Sequence, residues 1–192
     1  MALGLIILSA ITLMVILIYN GMVSNRNSVK AGFSDIDVEL KRRFDQIPNL
    51  IETAKKYMEH EKDTLLSVVI ARDDSAAALS MHKKDPLDRN AISKMNESEL
   101  KLSEAMHSFR ALSESYPQLH ADKTMLKLMD ELTNTENRIA FNRQNYNDIV
   151  MRYNTSLERF PNFILANLFS FQPATSWTIQ NEKEREPVQV KF

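Results

Sequence analysis

The sequence predicts an all-α protein: an N-terminal transmembrane helix, an antiparallel bundle of about four long helices, a short apolar helix and an extended C-terminal tail. Three observations predict this fold class. Residues 1–25 contain no charged side chain. The rest of the chain repeats apolar residues at steps of three and four, which is the period of one helix face. No glycine follows Gly32, which disfavours tight β-turns and phosphate-binding loops because both depend on glycine.

The N-terminal segment from Ala2 to Val23 is apolar apart from a few small or uncharged polar residues. As a helix it spans roughly 33 Å, enough for a hydrocarbon core of about 30 Å, and Tyr19 stands where interfacial aromatic residues are common. The segment has no polar face, unlike most core helices, and no basic start, unlike a cleaved signal peptide. We therefore expect a membrane anchor over residues 1–24, with residues 2–23 in contact with the lipid bilayer.

Basic residues lie on one side only of this segment. No Lys or Arg precedes it, whereas five follow within about 20 residues, the window in which charge sets orientation. These five are Arg26, Lys30, Lys41, Arg42 and Arg43. The positive-inside rule therefore predicts an N-terminus outside the membrane and a C-terminal domain in the cytoplasm.

Residues 25–171 are predicted to form the helical domain, beginning with two amphipathic stretches. The first presents one apolar face, formed by Val29, Phe33, Ile36, Leu40, Phe44 and Ile47. Pro48 is expected to end this helix and to open the next, because proline disfavours helix at the preceding residue and suits a first helical turn. The second stretch runs from Leu50 to Ala71 and fades into alanines before an expected exposed loop at residues 82–86.

Two further stretches complete the predicted bundle. The third runs from Ile92 to Tyr116 and is expected to stop at Pro117, with a turn to about Asp122 that can cap the last helix. The fourth has the seven-residue rhythm of bundle packing, in Met125, Leu128, Leu132, Thr135, Ile139, Asn142, Tyr146, Ile149 and Tyr153. Its polar seam residues, Thr135 and Asn142, are each expected to have a partner on a facing helix.

The C-terminal region differs in composition from the bundle. Residues 162–171 form a short apolar piece. Residues 172–192 are predicted to be an extended tail along the bundle, because Pro173 and Pro187 prevent a continuous helix and residues 188–192 alternate like a strand.

No catalytic, cofactor-binding or metal-binding residue is predicted. The chain has no Cys, which removes thiolate chemistry and Cys-based zinc sites. His60-Glu61 begins a zinc-helix motif, but position 64 is Thr instead of the second His. Glu104 and His107 have the spacing used in di-metal bundles, but no second copy exists. A net charge of −1 gives no electrostatic reason to expect nucleic acid as a partner.

Short polar and aromatic motifs follow one another in order along the chain. They include Tyr19-Asn20, Ile36-Asp37-Val38-x-Leu40-Lys41-Arg42-Arg43, Ile47-Pro48-Asn49-Leu50-Ile51-Glu52-Thr53, Thr135-Glu136-Asn137-Arg138-Ile139-Ala140, Tyr146-Asn147-Asp148, Tyr153-Asn154, Phe160-Pro161 and Pro187-Val188. Each motif is weak alone, but the ordered series closely resembles the LemA family of bacterial membrane proteins. The resemblance implies a single membrane helix in the bacterial inner membrane and a bundle of long antiparallel helices, and it implies no reaction or cofactor. Phe33 departs from the pattern, which usually has Trp there.

Polar residues of these motifs, drawn from three helices, are the candidate site: Asp37, Lys41, Arg42, Asn49, Glu52, Glu136, Arg138 and Asn147. Two interpretations stay open. These residues form a polar network or partner-binding patch, or they cap and pair helices without any ligand.

The preferred function is a membrane-anchored scaffold or adaptor that is not an enzyme and that binds an unidentified membrane-proximal protein. One alternative is a metal-binding or enzymatic bundle whose polar site no motif reveals. Another is a self-assembling protein that organises the membrane, with a homo-oligomer as its functional form.

Overall fold

A computed structural model describes residues 1–84 and 88–178. These residues form six helices: α1 (Ala2–Lys55), α2 (Lys62–Lys84), α3 (Arg89–Ser113), α4 (Pro117–Ala121), α5 (Lys123–Glu158) and α6 (Asn162–Leu168). The described part of the chain contains no β-strand, and the all-α prediction is confirmed. The predicted strand-like end at residues 188–192 lies outside the described residues.

The first helix, α1, contains both the apolar N-terminal segment and the first helix of the bundle. Every residue from Ala2 to Met14 is exposed, and burial begins around Ile18 and Met22. All six residues of the apolar face predicted between Val29 and Ile47 are buried. By length and composition, α1 can cross a membrane.

The four long helices pack in two pairs, α1 with α5 and α2 with α3, and α1 also packs against α2. Bonds from Asn142 to Asp35 and from Arg138 to Glu39 show that α1 and α5 are antiparallel. Gly32 allows this pair to approach closely, since a Cβ there would lie 2.8 Å from Cδ1 of Ile149. The short helices α4 and α6 both lie against α5, and α6 also touches α1.

The helix break predicted at Pro48 is wrong, because Pro48 lies inside α1, which continues to Lys55. Proline has no N–H to donate to the carbonyl four residues earlier, which here belongs to Phe44. In the structure, Nε of Arg72 on α2 donates to that carbonyl at 3.0 Å. A tertiary hydrogen bond therefore replaces the missing helical one, and the chain turns only at residues 56–61.

Two other predicted boundaries also move. The second predicted stretch is divided between α1, the turn and α2, and α2 extends to Lys84. His82 is therefore helical and fully buried, not in an exposed loop, with its ring centroid 4.0 Å from that of Phe33. Residues 85 and 86 of that loop lie outside the described residues. Helix α3 ends at Ser113, because Pro117 opens the separate helix α4.

The last long helix, α5, confirms the predicted seven-residue pattern. Asp122 caps it as expected, since its carboxylate accepts hydrogen bonds from the backbone N–H groups of Thr124 and Met125. Nδ2 of Asn142 donates to the carbonyl of Asp35 on α1 at 3.2 Å, as predicted for a facing helix. The prediction for Thr135 is wrong, because its hydroxyl donates to a carbonyl of its own helix. That local bond satisfies the buried hydroxyl without another helix.

Candidate functional site

The eight predicted site residues do not converge in one cluster. The carboxylate of Asp37 on α1 lies 2.8 Å from Nζ of Lys41 and 3.1 Å from Nζ of Lys83 on α2. The carboxylate of Glu136 on α5 lies 2.7 Å from the guanidinium of Arg110 on α3. The Asp37–Lys83 and Glu136–Arg110 ion pairs join different pairs of helices, and sequence reasoning did not identify Lys83 or Arg110.

The remaining residues on α1 and the middle of α5 lie at the surface. Arg138 is exposed and lies 3.5 Å from the carboxylate of Glu39 on α1. Arg42, Asn49 and Glu52 are exposed along α1. The candidate set is thus distributed along the bundle, and most of its contacts tie one helix to another.

The charge of Asp37 is set by its two lysine partners. Burial alone favours the neutral carboxyl, but the ammonium groups of Lys41 and Lys83 hold the pKa of Asp37 below its ordinary value. The side chain is therefore ionised at neutral pH and joins α1 to α2 electrostatically.

The eighth candidate, Asn147, belongs to a site that holds the C-terminal segment. Its Nδ2 donates to the carbonyl of Trp177 at 3.0 Å, and its Oδ1 accepts from the N–H of Trp177 at 2.8 Å. One heptad later, Asn154 makes the same two hydrogen bonds with the backbone of Ala174, at 2.8 and 2.9 Å. Each side-chain amide thus bonds both the N–H and the carbonyl of one backbone residue, as a residue of a neighbouring β-strand would.

Two tyrosines of α5 extend this arrangement. The hydroxyl of Tyr146 donates to the carbonyl of Thr175 at 3.2 Å, and that of Tyr153 donates to the carbonyl of Gln172 at 2.9 Å. Burial raises the pKa of Tyr146 to about 12, so this phenol stays a donor at neutral pH. We call the two tyrosines, together with Asn147 and Asn154, the Tyr-Asn clamp. Its hydrogen bonds reach only backbone atoms, so they hold an extended segment without reading its side chains.

Trp177 supplies the side-chain contact of the clamped segment. It is 1% exposed, and its ring centroid lies 6.2 Å from that of Phe33 on α1. Sequence reasoning missed Trp177, because an isolated aromatic residue in a tail belongs to no periodic pattern. The available signal was that it is the only Trp in the chain.

A cavity of about 420 Å³ opens beside Trp177, between α3 and α5. Its ionisable lining residues are Arg43, Glu99, His107, Arg110, Glu136 and Arg143. Arg43 and Glu99 form a buried ion pair between α1 and α3. In the described residues, no group of three or more His, Cys, Asp or Glu side chains is arranged to hold a metal ion.

An exposed aromatic residue marks the outer side of the α1–α5 pair. Phe141 is 72% exposed near the middle of α5. It lies in a groove of about 390 Å³, which we call the α1–α5 groove, lined also by Glu39, Asn134, Asn137, Arg138 and Asn142. An aromatic side chain inside a polar rim is the composition of many protein–protein hot spots.

A protein-family model matches most of the chain. The model described as the LemA family matches residues 32–192. The chain belongs to the LemA family. No curated protein matches it.

The LemA match begins within α1, close to where the bundle begins, and leaves the exposed apolar segment outside it. The LemA region therefore includes the Tyr-Asn clamp, the charged cavity and the α1–α5 groove. Several motifs on which the family resemblance rested have structural roles here: Pro48 lies within α1, and Tyr146-Asn147 and Tyr153-Asn154 form the clamp.

Proposed function

We propose that this LemA-family protein is a membrane-anchored scaffold, not an enzyme, that holds its bundle next to a bilayer and binds a partner protein there. The observation that carries the proposal is α1. One uninterrupted helix contains the exposed apolar segment and a central helix of the bundle. A helix without a break transmits the position and tilt of the membrane segment directly to the domain, as a scaffold requires.

The exposure of the apolar segment supports the membrane assignment. The most hydrophobic window of α1 has none of its residues buried by the protein, so the bundle offers this surface no alternative to lipid. Contiguous apolar surface of this size is unfavourable in water. The proposed location is a bacterial inner membrane, with the N-terminus outside and the bundle in the cytoplasm.

The α1–α5 groove supports a protein as the partner. Phe141 offers a large apolar ring, and its neighbours Asn134, Asn137 and Arg138 offer hydrogen-bond donors around it. Aromatic and arginine side chains contribute a large share of binding energy at protein interfaces. We propose that a segment of the partner covers Phe141 and satisfies this polar rim.

The test is a pull-down of the full-length protein from solubilised membranes. Phe141→Ser removes the ring from the groove, and Met151→Ser is the matched control because Met151 is also exposed on α5, by 60%. We expect a partner that is enriched with the wild type and Met151→Ser but lost with Phe141→Ser. A partner retained by Phe141→Ser would contradict the groove. No partner enriched over an unrelated single-pass anchor would contradict the scaffold.

A further inference from the structure

Two long uncharged stretches of the chain meet in the fold. Residues 1–25 and 160–181 are its longest runs without Asp, Glu, Lys or Arg. The ring of Tyr19 lies 4.9 Å from that of Phe169 and 5.7 Å from that of Phe171, both in edge-on arrangements. The structure thus places α6 and its C-terminal flank against the end of the apolar segment of α1.

The outward side of α6 is mostly apolar. Its bundle side is occupied by Ala166, which is buried, and Leu165, which packs against the core. The exposed apolar side chains of α6 and its flanks, which lie beside the exposed polar residues Asn167 and Ser170, form what we call the α6 patch: Phe160, Phe163, Ile164, Leu168 and Phe169. A short helix at a water surface normally places polar residues outward. A contiguous exposed apolar patch instead marks contact with a protein or a membrane.

The height of α6 along α1 favours the bilayer as the partner. From Ala2 to Leu17, α1 is almost free of the bundle, a helical length of roughly 24 Å. That is about 6 Å less than a hydrocarbon core of about 30 Å. Residues 18–22 of α1 would span the remaining part of the hydrocarbon core, about 6 Å. At these residues α6 and Phe171 lie against α1. The α6 patch is therefore level with the outermost part of the hydrocarbon.

We propose that the α6 patch lies in the membrane interface and is a second lipid contact of this protein, a proposal that rests on the membrane anchoring by α1 proposed above. Interfacial helices sit about 5–10 Å into the headgroup boundary, and aromatic rings favour that layer. The guanidinium of Arg26 lies 5.4 Å above the ring of Phe171, which places a cation beside the lipid headgroups. A second contact beside the span also restricts the tilt of the bundle relative to the bilayer.

Depth-dependent fluorescence quenching tests this arrangement on the full-length chain. Because the chain has no Cys, single-Cys variants can each carry one environment-sensitive nitrobenzoxadiazole label. Phe163→Cys and Leu168→Cys report on the α6 patch, and Leu13→Cys reports on the middle of the span. Phe141→Cys is the control, since it is exposed but lies roughly 18 Å along the bundle from the span. The vesicles contain phosphatidylcholine and phosphatidylglycerol, with nitroxides either near the headgroup or deep in the acyl chain.

We expect labels at 163 and 168 to lose most fluorescence to the shallow nitroxide, the label at 13 to lose most to the deep one, and the label at 141 to lose none. If 163 and 168 behave like 141 while 13 is quenched, the anchor stands and the α6 proposal is overturned. If 13 is not quenched either, the proposed membrane anchoring fails and the α6 proposal fails with it. Blue-shifted emission at 163 without lipid quenching would mean that protein covers the patch, which also overturns the proposal.

Discussion

At the residue scale, the Tyr-Asn clamp shows which part of a site a sequence can reveal. Asn147 and Asn154 are seven residues apart, so their shared position on one face of α5 could be predicted. Their binding partners could not, because they lie 30 and 20 residues further along the chain, in a segment without periodicity. The Asp37–Lys83 and Arg43–Glu99 ion pairs also escaped prediction, because each joins two helices whose packing the sequence does not show.

Substitution of the clamp asparagines tests this site directly. Asn147→Ala and Asn154→Ala each remove two hydrogen bonds from backbone groups of a segment packed on the bundle. Such loss costs about 1–3 kcal/mol in the free energy of unfolding. Because Trp177 is the only Trp, its emission should also shift to the red as the segment detaches. Denaturant unfolding monitored by circular dichroism and by Trp fluorescence measures both effects.

The matched control for the clamp is Asn145→Ala, an exposed residue of the same helix, which should change stability by no more than about 0.5 kcal/mol. Unchanged Trp emission in an Asn147→Ala, Asn154→Ala double variant would show that the clamp does not hold the segment in solution.

At the element scale, periodicity predicts that helices exist but not where they end. The apolar faces of α1 and α5 repeat over many turns, so a helix there is the conformation that buries them on one side. The ends predicted at Pro48 and near His82 were wrong because distant residues altered the local preference. Arg72 supplies the hydrogen bond that Pro48 removes, and Phe33 packs against His82, which keeps α2 helical beyond its alanines.

The role of Arg72 in keeping α1 continuous predicts a specific energetic coupling. Arg72→Met leaves the carbonyl of Phe44 without a donor in the wild-type background, which should cost about 1–3 kcal/mol. In a Pro48→Ala background, the N–H of the new alanine bonds that carbonyl, so the same substitution should cost markedly less. A double-mutant cycle from thermal or urea unfolding measures the difference. Additive effects would mean that Arg72 does not replace the bond that Pro48 removes.

At the scale of the whole molecule, the proposed membrane segment and the bundle are continuous. The boundary expected near residue 24 falls inside α1, with no linker. The antiparallel course of α5 also returns the chain to the base of the span, where Tyr19 meets the residues after α6. The sequence alone could not show this return, because it depends on which helices pair and not on the pattern within any one of them.

The charges that follow the span predict a cytoplasmic bundle. Arg26, Lys30 and the cluster at 41–43 all lie within about 20 residues of the span in sequence. Basic residues close to a membrane segment are retained on the cytoplasmic side. Reporters fused after Phe192, one active only in the cytoplasm and one only outside it, should give the cytoplasmic signal.

A matched variant tests whether the charges around the span set this orientation. Inserting Lys residues after Met1, combined with Arg26→Gln and Lys30→Gln, shifts the basic charges towards the N-terminal side of the span. This variant should move part of the population to the external signal, because the charge difference across the span sets its orientation. An external signal from the unaltered chain would mean that the bundle is exported despite its basic residues. Partners of the α1–α5 groove would then have to be sought in the envelope.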